Sequence, residues 1–167
     1  SQGAKLVGES IENGAIYQSE VWKDLVANAK ADKAMHAFIG YDKDKEVIVA
    51  ETLPHDIACW GAGSGTKGSY NYNPHAYIQF EICQGSNDDA DYYWKAITVA
   101  EEYCAYLCRM YGWTAKNITS HAEAHRKGYA SNHGDPISWM KHFGDSMDKF
   151  RKRAQARLDG TETPMAS

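Results

Sequence analysis

The chain has 167 residues, 43% of them hydrophobic, which suits one domain built around one core. Its net charge of -4 leaves no basic field to attract nucleic acid. No apolar run approaches the ~18 residues of a membrane span, and no secretory leader is visible, although the chain opens on Ser1 and not on Met.

In chain order, residues 1–17 are weakly patterned and read as loop. Ser19 is placed to cap a helix over 20–31, whose apolar face is Val21, Trp22, Leu25 and Val26. Strands are predicted over 34–39 and 47–52, joined by the polar turn 41–45 into an antiparallel hairpin that Pro54 closes. Residues 61–73 are rich in Gly, Ser, Asn and Tyr and form a long loop. They lack the Gly-Lys-Ser/Thr ending of a phosphate-binding loop. Residues 76–83 are the clearest strand, with Tyr77, Gln79 and Glu81 alternating against Ile78, Phe80 and Ile82. A long core helix follows over 88–111, acidic in its first turn and closed by Gly112. A short strand over 117–120 runs into His121, Pro136 opens another helix, and 147–158 is a final amphipathic helix. Lys149, Arg151, Lys152, Arg153 and Arg157 read as the solvated face of that helix. Cys59, Cys83, Cys104 and Cys108 read as reduced, mostly buried small hydrophobes, consistent with synthesis in a reducing cytoplasm. Strands interleaved with helices imply a single α/β or α+β domain.

Chemistry-bearing residues concentrate between His121 and Asp135, which also holds Glu123, His125 and His133. Histidine and carboxylate are zinc ligands, and a catalytic zinc takes three of them plus water. His121 ends a predicted strand and is a candidate ligand or a hydrogen-bonded core residue. His121 and His125 are i,i+4 neighbours that can share a metal on a helix, but the His-x-Glu-x-His spacing departs from the zinc-protease motif, and an exposed polar turn is the alternative. His133 and Asp135 face one side of an extended segment, while Asp135 is also placed to cap the Pro136 helix. Glu81 is solvent-facing on an open strand. Covered by the Gly-rich loop, it would be a desolvated general base.

The order of the segments Met35-His36-Ala37-Phe38-Ile39-Gly40, Glu51-Thr52-Leu53-Pro54, Trp60-Gly61-Ala62-Gly63, Tyr77 to Cys83, Ser120-His121-Ala122-Glu123 and Ala130 to Pro136 resembles the zinc-dependent N-acetylmuramoyl-L-alanine amidases. This amidase-2 family includes phage endolysins and peptidoglycan recognition proteins. The resemblance runs from about Met35 to Phe150. It implies an α/β fold with a mixed central sheet flanked by helices, a catalytic domain over 1–158 and a tail or linker stub over 159–167. It further implies Zn2+ held by His121 and Asp135, with Glu81 activating water and His133 assisting. The third ligand, a histidine ending the family's first core strand, is expected immediately before Ser1, because Ser1-Gln2-Gly3-Ala4 resembles the residues that follow it. Where relatives carry His after the Trp of Trp-His-x-Gly, this chain has Gly61, so a substrate contact from that position is gone. Trp60, Tyr70, Tyr72 and Asn132 are the expected substrate-binding residues, with core packing the competing role for Trp60.

The activity implied is hydrolysis of the amide between N-acetylmuramic acid and the L-alanine of the stem peptide. The partner implied is peptidoglycan, with no nucleic acid and no membrane. A monomer is expected, made in the cytoplasm of a bacterial host and acting at its cell wall, with room for a C-terminal wall-binding domain. The alternatives are a non-catalytic peptidoglycan-binding domain of the same fold and a protein whose metal is structural.

Overall fold

Three strands and four helices build the described part of the computed structural model, residues 35–134 and 136–161. β1 (Ala37–Tyr41) and β2 (Val47–Glu51) form the expected antiparallel hairpin, with Ala37 opposite Glu51 and Tyr41 opposite Val47. Asp42 shapes its turn, Oδ1 accepting from the backbone N–H groups of Asp44 (2.8 Å) and Glu46 (3.0 Å). β3 (Phe80–Ile82) lies parallel to β1 on its other side, giving a mixed sheet of order β2-β1-β3.

The ladder of β3 is shorter than the 76–83 alternation predicts. Upstream of Phe80 the backbone turns to other partners: Gln79 N–H donates to His36 Nδ1 (3.0 Å) and Tyr77 N–H to the Tyr70 carbonyl (2.9 Å). His36 Nε2–H in turn donates to the Ile57 carbonyl at 2.7 Å. Both ring nitrogens of this buried histidine are therefore used by its neutral form, and it braces β1, β3 and the loop after β2. Burial is the main influence holding its pKa below the ordinary value, with His55 adding to it against the opposing Ile57 bond. A base whose folded pKa is depressed leaves the unfolded chain binding more protons, so its stabilisation is complete above about 6.5 and is lost as the pH falls below that. Urea denaturation of the wild type is expected to weaken between pH 7 and 5, by at most about 1.4 kcal/mol per pH unit for this one proton. His36→Gln should remove that component of the slope.

α1 (Ala90–Tyr111) matches the long predicted helix. Asp89 caps it by accepting from Tyr92 N–H, and Gly112 ends it in the left-handed conformation. Its inward face, including Tyr93, Ala96, Ile97, Ala100, Cys104 and Leu107, shares one core with Phe38, Ile39, Val49 and Ala50 of the hairpin. Each large side chain so buried contributes about 1.5–3 kcal/mol. All four cysteines are free thiols, and Cys59, Cys104 and Cys108 are buried.

Two expectations are corrected. Residues 117–120 form no strand. A 3-10 turn, Ala115–Asn117, capped by Thr114, leads into an extended link and then directly into α2 (His121–Lys127), so His121 opens a helix. The basic residues of α4 (Met147–Asp159) are also not simply a solvated face. Arg153 Nε and Arg157 Nε donate to the two oxygens of Glu101, whose side chain is wholly buried on α1. Arg153 also grips Asp145 through both terminal nitrogens (2.9 and 2.7 Å), and Tyr93 Oη donates to the same carboxylate. Lys149 and Lys152 alone of the five remain exposed. Burial by itself would raise the Asp145 pKa, but the bonds from Arg153, Tyr93 and the Ser146 N–H outweigh it and hold the group below its ordinary value.

α3 (Ile137–His142) follows Pro136, which occupies the cap position in place of Asp135. α4 runs one residue beyond the predicted end before Gly160 closes it. The predicted helix over 20–31, Asp135 and residues 162–167 lie outside the described residues. No helix among the described residues is long and apolar enough to cross a membrane.

Candidate active site

The start of α2 is fixed by a capping box. Ser120 Oγ accepts from Glu123 N–H (3.2 Å), and Glu123 Oε1 accepts from Ser120 N–H (3.1 Å). The same carboxylate takes a two-pronged bond from Arg151 of α4, at 2.9 and 2.8 Å. Burial would raise the Glu123 pKa; Arg151 and Ser120 together hold it below normal. His125 donates from Nδ1 to the Ala130 carbonyl at 3.0 Å. Glu123 and His125 thus serve the local architecture, and the i,i+4 histidine pair does not converge on one centre.

His121 is held differently. Its Nε2 lies 3.0 Å from the Ser131 carbonyl and 3.3 Å from Ser131 Oγ. A carbonyl only accepts, so Nε2 donates this bond. A carbonyl holding one ring nitrogen is the arrangement that orients a metal-ligating histidine. The His133 ring stands 4.9 Å from that of His121. Ser131 is itself pinned to the Ala62 carbonyl through its N–H (2.8 Å) and Oγ (3.2 Å).

Ala62 belongs to the Gly-rich loop, which is ordered by its own polar groups. Asn71 Oδ1 accepts from Ala62 N–H and Gln79 Nε2, both at 3.0 Å, while Asn71 Nδ2 and Ser69 Oγ donate to the Gly63 carbonyl. Lys67 N–H and Tyr70 N–H bond the carbonyls of Gly128 and Tyr129, tying the loop to the end of α2. Gly65 makes that approach feasible, since a Cβ there would lie 2.4 Å from the Gly128 backbone carbon and oxygen. Gly65→Ala is expected to cost more than about 2 kcal/mol, because backbone cannot yield as a side chain does. A urea midpoint unchanged from wild type would count against this docking.

A cleft of about 700 Å³ lies between β3, the Gly-rich loop, the link 118–120 and the first turn of α2. It gathers Trp60, Tyr70, Glu81, His121 and His133 from the residues singled out in the sequence. Tyr72 and Asn132 are exposed and do not line it. Trp60 is 47% exposed and is therefore not a core residue. Tyr70 offers no open ring face: it is buried between Tyr77 (4.2 Å) and Tyr129 (4.9 Å), and burial pushes its phenol up to about 12. Glu81 is exposed, so the loop does not bury it, and the desolvated form of the general-base expectation falls away. A Cβ on Gly61 would sit 2.1 Å from Met35 Sδ, which fills the space a side chain at 61 would need. Among the described residues no three His, Cys, Asp or Glu side chains gather to hold a metal ion. Of the two expected zinc ligands, His121 lines the cleft with His133 beside it, and Asp135 lies outside the described residues.

Sequence reasoning missed Arg151, Ser131 and Gln79. Only Gln79 left a signal, on the same alternation as Glu81.

No curated protein matches the chain. A solved structure that does match is that of the Staphylococcus aureus hydrolase AmiA in complex with its ligand, with a TM-score of 0.64 and 18% identity. The alignment covers 89% of this chain and 72% of that one, and it shows a shared fold. The model of the N-acetylmuramoyl-L-alanine amidase family matches residues 10–138. The chain belongs to the N-acetylmuramoyl-L-alanine amidase family.

Proposed function

We propose that this protein is a zinc-dependent peptidoglycan amidase that cleaves between N-acetylmuramic acid and the L-alanine of the stem peptide. Family membership supports the reaction class. The observation that carries the reading is the pairing of a carbonyl-oriented His121 with His133 across a cleft that also exposes Glu81. Zinc, when bound, polarises the amide carbonyl and lowers the pKa of water towards ~7. His121 and Asp135 would hold it. Glu81 takes the proton of the attacking water and passes it to the leaving amine. His133 donates to the carbonyl oxygen as negative charge develops there. Trp60 offers an aromatic face to the glycan at the cleft wall.

The test is metal analysis together with release of free stem peptide from purified cell walls. Release that chelation abolishes and zinc restores is the expected result. Wall binding with neither metal nor release would make the chain a binding module, and unfolding by chelator would make the metal structural.

A further inference from the structure

Gln79 occupies a place in the cleft wall that the reaction above leaves without a role. Its backbone is fixed twice against His36, N–H donating to His36 Nδ1 and the carbonyl accepting from His36 N–H (2.9 Å). Its side-chain Nε2 donates to the Tyr70 carbonyl and to Asn71 Oδ1, both at 3.0 Å. Those partners fix which end of the amide is which: a main-chain carbonyl cannot donate, and Asn71 Oδ1 is identified as oxygen by the Ala62 N–H it also accepts. Both Nε2 hydrogens are thus used, and Oε1 is turned the other way. It lies 2.8 Å from where a Cβ on Gly61 would stand, in a stretch of wall shared with Gly61 and the thioether of Met35. The Met35 thioether takes the space beside this oxygen that a side chain at 61 would need, and Gln79, Gly61 and Met35 all line the cleft.

We propose that Gln79 is a specificity-determining residue whose Oε1 accepts an amide N–H of the bound substrate. This rests on the peptidoglycan reading, whose acetamido group and stem peptide both present secondary amides. An uncharged amide oxygen with its nitrogen already committed can only accept, so it selects a donor and disfavours a carboxylate at the same place. Because the side chain is held before substrate arrives, little ordering entropy opposes the contact.

The test is steady-state turnover of a soluble muramyl peptide and of analogues in which one non-scissile amide N–H at a time is replaced by an ester oxygen. Wild type is expected to lose about tenfold in kcat/KM with one analogue, through KM, since an ester oxygen facing Oε1 leaves both acceptors unpaired. Gln79→Met should treat that analogue and the parent within about twofold of each other. Equal losses in both proteins overturn the proposal. So does a wild type indifferent to every analogue, which needs no variant to fold. Stem-peptide release without any coupling sinks the Gln79 assignment alone, whereas no turnover of the parent or of walls sinks the peptidoglycan reading with it.

Discussion

Arg153→Met is expected to destabilise the fold by about 3–5 kcal/mol, read as a shift of the urea midpoint. The guanidinium bridges two carboxylates whose side chains are wholly buried, Glu101 and Asp145, and also covers the Trp94 ring at 5.5 Å. Removing it leaves Glu101 to Arg157 alone and Asp145 to Tyr93 and the Ser146 N–H. A buried charge that loses its partner costs far more than the pair contributed over an apolar substitute. Replacing Glu101 by Gln at the same time should recover part of the loss, since one uncompensated charge goes with it. A single variant within 1 kcal/mol of wild type, by the same scale of about 3–5 kcal/mol for a real buried pair, would mean that water reaches this node. Acid should act on the same node. Asp145 has a depressed folded pKa, so its contribution is present above the ordinary carboxylate range and is lost as the pH falls through the folded value.

Glu81→Gln is expected to lower stem-peptide release by about 10²–10⁴-fold while leaving zinc content unchanged. Glu81 projects from the middle of β3 into the cleft and is exposed, so the amide substitution removes a proton acceptor without burying anything new. His121→Ala should instead lose both metal and activity. The two variants therefore separate proton transfer from metal retention. Loss of zinc in Glu81→Gln would show that the carboxylate is part of the metal site, contrary to the role proposed for it.

The hairpin and the long helix were legible because each rests on local rules. The alternation on either side of 41–45 and the Asp89 to Gly112 caps need nothing from distant residues. Thr114 and Ser120 explain the misread link: two capping boxes in close succession put Asn117 at the end of a 3-10 turn and make His121 the opening of a helix. Arg153, Arg157 and Glu101 were unreadable for a different reason. Glu101 and Glu102 are adjacent identical acids, and only the packing of α4 on α1 shows that one of them is buried and the other exposed. The resemblance named Glu81, His121 and His133, which all line the cleft, whereas Ser131 and Gln79 act through hydrogen bonds made by loop backbone that no spacing rule encodes.

The ion pairs of α4 also bear on the order of events during synthesis. Arg153 and Arg157 lie 52 and 56 residues beyond Glu101 in the chain. At ~5–20 residues per second, about 3–11 s pass between translation of the acid and of its cations. Were α1 to close on the hairpin within that interval, it would bury the Glu101 carboxylate before its cations exist. Full docking of α1 is therefore expected to wait for α4, and a chain truncated before Met147 is expected to show weaker amide protection in α1 than the whole chain.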